Sequence, residues 1–190
     1  MKQNFSRFLL GIFLAPAFML LHECGHYAAA TALGFRTHFH FAEVQLSQPA
    51  TFSIHQLQLI TAAGPAVEAT LSLGGLLCLW HLRRNRLPSP ASLADWLVTF
   101  PIFCSLRWMR CFGGSLTNPV PSDEAHLSDS FGFPPWLLAY LLAPVGLALF
   151  IVAIRLHPRG SRLFPFVSAF LGLVLGTFLW LKVIGPRILP

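Results

Sequence analysis

The sequence predicts an all-α polytopic membrane protein, with about five transmembrane helices and a small β-hairpin after the first. Three observations carry this. Of the 190 residues, 55% are hydrophobic and 11% charged, and mean hydropathy is +0.64. A soluble domain carries about 25% charged residues. No formal charge occurs between Asp129 and Arg155, nor between Arg162 and Lys182, and each run is long enough for a hydrocarbon core of about 30 Å. Residues 35–58, by contrast, are too polar to span and alternate in short pieces.

The net charge of +6 raises the question of a nucleic-acid partner. The positive residues lie mostly at the ends of apolar segments, as in Arg83-Arg84-Asn85-Arg86 and Arg155 to Arg162. That placement is what topology anchors need, so the expected partner is the lipid bilayer and no nucleic acid. Cys24, Cys78, Cys104 and Cys111 show no paired metal spacing and read as small buried hydrophobes.

In chain order, the first span covers about residues 8–33, with Pro16 as a kink. It runs too long for a cleavable signal peptide. The hairpin is expected within 35–58. Its pieces are Phe39 and Phe41, then Val44 and Leu46, then Leu57 and Leu59, with a phase slip near Ala42-Glu43 and a turn at Ser47-Gln48-Pro49-Ala50. The second span runs about 60–81, opened by Ala62-Ala63-Gly64-Pro65. The third, about 92–112, is interrupted by Asp95, Pro101, Arg107 and Arg110. A Gly/Pro/Ser/Asp-rich loop follows over 113–134. Spans at about 135–154, kinked at Pro144, and about 163–183 complete a single integral-membrane domain over 1–190.

The chemistry sits inside the first span. Between Arg7 and Arg36 the only formally charged residue is Glu23, within His22-Glu23-Cys24-Gly25-His26. An ionisable group in apolar surroundings costs several kcal/mol (about 3 on insertion scales) unless it has a function or a partner. On a helix, histidines at i and i+4 share a face and can grip one zinc ion. Glu23 sits roughly 100° round from His22, where a general base for zinc-activated water belongs.

Catalytic zinc takes three protein ligands. The 113–134 loop lies on the same side of the membrane as the histidines and offers Asp123, Glu124 and His126. Asp123 is the first choice and Glu124 the second; an ordinary solvated acidic loop is the alternative. Glu68 is the only charged residue between Glu43 and Arg83. It is a further candidate ligand, or a partner for a histidine N–H. His38, His40 and His55 form a weaker, separate candidate group.

These residues resemble the site-2 protease family of intramembrane zinc metalloproteases (peptidase family M50). The likeness covers roughly residues 8–130, a three-span core with hairpin 35–58, and leaves 135–184 as two additional spans. It rests on His22-Glu23-Cys24-Gly25-His26, on Ala63-Gly64-Pro65-Ala66-Val67-Glu68 as a G-P-x-x-N element, and on Asn118-Pro119 followed by Asp123 as an N-P…D-G element. The resemblance implies His22, His26 and Asp123 as zinc ligands, Glu23 as base, and Asn118 in substrate binding. It implies hydrolysis of peptide bonds in transmembrane or membrane-associated substrates. Two residues depart from the pattern: Glu68 replaces the family's Asn, and Glu124 replaces the Gly after the ligand Asp.

Two other classes fit the same residues: a non-catalytic pseudo-protease that binds metal and membrane clients, and an ion-coupled transporter using Glu23, Glu68 and the histidines. The expected location is a multi-pass position in the cell membrane. Positive charges favour a cytoplasmic N-terminus, whereas the resemblance implies a zinc near the cytoplasmic face. The sequence assigns no oligomeric state.

Overall fold

The structure, a computed structural model, describes residues 2–46, 51–84, 91–108, 122–158 and 163–189. Helix α1 (Lys2–Ala32) is followed by strands β1 (Thr37–Phe39) and β2 (Val44–Leu46), and by α2 (Ile54–Arg84). A broken segment comes next, α3 (Leu93–Thr99) and a 3-10 stretch (Phe100–Ser105). Then come α4 (Asp123–Ser130), α5 (Leu137–Leu156) and α6 (Leu163–Leu179). The last helix continues through a π-helical turn (Trp180–Ile184) into α7 (Gly185–Ile188). Among the described residues, four helices are long and apolar enough to cross a membrane: Asn4–Ala32, Ile54–Arg84, Leu137–Leu156 and Leu163–Ile188.

The expected third span is corrected. Residues 93–105 form seven residues of α-helix and six of 3-10 helix, not one long apolar helix. Pro101 cannot donate to the carbonyl one turn back, and the backbone tightens there into the 3-10 form. Ser92 and Asp95 make a reciprocal capping box that starts α3. The segment is enclosed on one face, where Trp96, Phe100 and Phe103 pack with Phe166 and Ala169, while Leu93 and Leu97 point outward. Ile102 packs with Leu79 of α2 and Ala153 of α5. That enclosure tolerates its low hydropathy.

The hairpin is also corrected. β1 and β2 pair antiparallel, with Thr37 opposite Leu46 and Phe39 opposite Val44. The reversal therefore falls at 40–43, where the sequence shows a phase slip. The expected turn at 47–50 lies outside the described residues. Leu57 and Leu59 belong to α2, which starts at Ile54. Gln56 N donates to Ser53 Oγ and Ser53 N to Gln56 Oε1, a second capping box that lengthens this helix.

Helix α2 runs antiparallel to α1, setting Ile60 beside His26 and Glu68 beside His22. Helix α6 runs parallel to α1, with Gly172 against Phe8 and Gly176 against Ile12. A Cβ at Gly172 would collide with the Phe8 carbonyl, so these small residues set the closeness of the two helices. Large apolar side chains such as Phe13, Leu77 and Phe178 point outward, as a lipid-facing surface requires.

At the end of the bundle near the N-terminus, Arg83 Nη2 donates to Asp95 Oδ2 at 2.7 Å. The same oxygen accepts from Ser92 N and Oγ, both at 2.6 Å. His157 Nε2 lies 2.9 Å from Thr99 Oγ1. At the other end, Trp180 Nε1 donates to the Phe41 carbonyl at 2.8 Å and pins the hairpin to the last helix.

Candidate metal centre

His22, His26 and Asp123 come together, each offering a ligand atom within 4.8 Å of the others. The two histidines occupy one face of α1, as their spacing predicts. Asp123 is not in the expected extended loop. It is the first residue of α4, whose N-cap Ser122 accepts from Ala125 N. A helix start fixes the carboxylate and favours its negative charge. Burial would raise the Asp123 carboxyl. His22, His26 and the Arg107 guanidinium beside it more than offset this and hold it well below the usual carboxylate range.

The proton positions follow from the neighbours. His26 Nδ1 lies 2.7 Å from the Ile60 carbonyl, which can only accept. The proton is therefore on Nδ1, and Nε2 presents a lone pair. His22 Nδ1 lies 3.2 Å from Glu68 Oε1, an acceptor that suits the same tautomer, and Arg107 Nη1 lies between the two ring nitrogens, 2.7 Å from Nδ1 and 2.8 Å from Nε2. The two Nε2 atoms face each other at 3.0 Å. Asp123 Oδ2 completes a triangle, 3.0 Å from His22 Nε2 and 3.5 Å from His26 Nε2. Three potential ligand atoms thus converge. A proton can bridge two of them, whereas a metal ion satisfies all three. Ligand bonds of about 2.0–2.1 Å in a tetrahedron imply edges of roughly 3.3 Å, which this triangle matches. The donor set fits a small divalent metal with one coordination position left over.

Glu68 is buried and contacts His22, as a carboxylate that orients a ligating histidine does. Glu124 is 1% exposed on α4 and is not in the triangle. His126 is exposed. His38 and His40 stay in the hairpin, and His55 lies near Gln58 instead, 3.4 Å from its Oε1. Asn118 lies outside the described residues.

Two features went unrecognised in the sequence. Arg107, taken there as an interruption, enters the centre. Its Nη2 donates to Asp123 Oδ2 at 2.7 Å, and its Nη1 donates to Glu68 Oε1 at 3.1 Å. The isolation of this charge after an apolar stretch is the signal that singled out Glu68, and it applies equally here. Gly64 is the other. A Cβ there would lie 2.7 Å from His22 Nε2, so α2 reaches the histidines only because position 64 carries no side chain. Beside the centre is a cavity of about 600 Å³. Glu23, His22, Glu68 and Arg107 lie on its wall with apolar residues of α1, α6 and the 3-10 segment, and Ala42 of the hairpin reaches it.

Comparison of the chain with protein-family models, with curated proteins and with solved structures gives no match.

Proposed function

We propose that this chain is an intramembrane zinc metalloprotease of the site-2 type, set in the cell membrane, that hydrolyses peptide bonds of membrane-embedded substrates. The observation that carries the proposal is the convergence of His22 Nε2, His26 Nε2 and Asp123 Oδ2 next to a cavity that Glu23 also lines. When bound, zinc supplies a Lewis acid that polarises a carbonyl and activates water. His22, His26 and Asp123 would hold it. Glu68 and the Ile60 carbonyl keep the two imidazoles in the ligating tautomer. Glu23 accepts the proton of the attacking water and returns it to the leaving amine. The apolar cavity walls suit the side chains of a transmembrane peptide, and the hairpin next to them offers strand edges to an extended one.

A second reading draws support from Arg107 and Glu68. A guanidinium against the ligand atoms, and a Glu where the resembled family carries Asn, suit a non-catalytic protein that binds metal and retains client helices. Purified protein in detergent, assayed for metal content and for cleavage of a model transmembrane peptide, separates the two. Cleavage by the zinc-loaded wild type, lost in Glu23→Gln, supports the protease. Stoichiometric zinc with no cleavage of any transmembrane peptide supports the client-binding protein.

A further inference from the structure

We propose that Arg107 competes with the metal for the same two atoms and thereby sets how tightly the centre holds it. The proposal rests on the metal-centre reading above. Arg107 Nη2 is 2.7 Å from Asp123 Oδ2, and Nη1 is 2.8 Å from His22 Nε2. Both are the atoms assigned to the metal, not the far oxygen of the carboxylate or the outer nitrogen of the ring alone. Nη1 is also 2.7 Å from His22 Nδ1. The guanidinium therefore lies against both nitrogens of the His22 ring, the ligating one included.

A divalent ion about 2.0–2.2 Å from those ligand atoms would stand only a few Å from the guanidinium. Like charges that close repel strongly even at an effective dielectric constant of about 20. The two cations therefore cannot both keep full contact with Asp123 and His22. Arg107 has somewhere else to go. Glu68 Oε1 is already 3.1 Å from Nη1, Glu124 adds its negative charge nearby, and the cavity gives the side chain space. Four carboxylates, Glu23, Glu68, Asp123 and Glu124, lie around this one guanidinium. A divalent ion is drawn to the same acidic groups, and Arg107 yields part of its contacts to it. Metal binding is then an exchange of one cation for another at Asp123 and His22, and its affinity is lowered by what Arg107 gives up.

The test is zinc affinity, measured by competition with a chelating indicator, for wild type, Arg107→Gln and Arg107→Met in detergent. Thermal unfolding is followed with and without zinc. The neutral variants are expected to bind zinc roughly tenfold tighter or more, from the removal of a like charge at such range. Without zinc they should unfold at a lower temperature than wild type, and added zinc should raise their midpoint by more. Zinc bound by wild type but no tighter by either variant overturns the competition alone. So does a variant that fails to fold even when zinc is supplied throughout, because the divalent ion should replace the lost charge. No zinc in any of the three proteins removes the metal centre, and the competition with it.

Discussion

Gly64 stands directly against the imidazole of His26, with no room for even a methyl group between them. Helix α2 is therefore part of the centre's wall. Gly64→Ala is expected to weaken zinc binding by roughly tenfold or more, although alanine favours a helix over glycine by about 1 kcal/mol. Gly74→Ala in the same helix is the control, since a Cβ there meets nothing within 4 Å. Zinc titrations of the two variants should separate clearly; equal affinities would mean the helices are not held this close.

Ligand identity is tested by elemental analysis. His22→Ala, His26→Ala and Asp123→Ala should each lose most of the zinc, because two remaining ligands hold it poorly. Glu124→Ala should keep near-normal stoichiometry and lose stability instead, as its buried carboxylate lies outside the triangle. Zinc loss in Glu124→Ala comparable to that in Asp123→Ala would reverse the assignment.

Glu23→Gln should keep zinc and fold while cleavage falls by about 100-fold or more, the usual scale for a lost general base. Activity within a few-fold of wild type would exclude Glu23 as that base.

Far from the centre, Asp95→Ala should destabilise the fold by about 3–5 kcal/mol, the cost of removing one partner from a buried ion pair. Asp95 is fully buried against Arg83. Denaturant unfolding in detergent reads this directly, and zinc stoichiometry of the folded fraction should stay unchanged.

How much the sequence discloses depends on how local the cause is. The four long helices were legible because lipid demands uninterrupted apolar length. His22, Glu23 and His26 were legible because their geometry follows from one helix. The 93–105 segment misled because its polar residues Asp95, Thr99 and Ser105 are enclosed by neighbouring helices, which no single stretch reveals. The hairpin misled because Pro49 drew the turn away from 40–43. Arg107 was hidden for a related reason. In a 3-10 stretch each residue turns roughly 120°, against 100° in an α-helix. The face on which Arg107 emerges therefore cannot be counted out on an α-helical wheel.

That 3-10 stretch also works as a spacer. Two ion pairs tie α2 to its antiparallel neighbour, Arg83 to Asp95 and Glu68 to Arg107. On α2 the tied residues are separated by about 22 Å at a rise of 1.5 Å per residue. The neighbour has fewer residues between its own two anchors and would fall short, at about 18 Å, as a pure α-helix. Six residues at about 2.0 Å each bring it to about 21 Å. The two lengths then agree, and both pairs can close at once. Removing one residue from 100–105 would shorten and rotate the neighbour together. It would leave Arg83–Asp95 or Glu68–Arg107 to form, but not both.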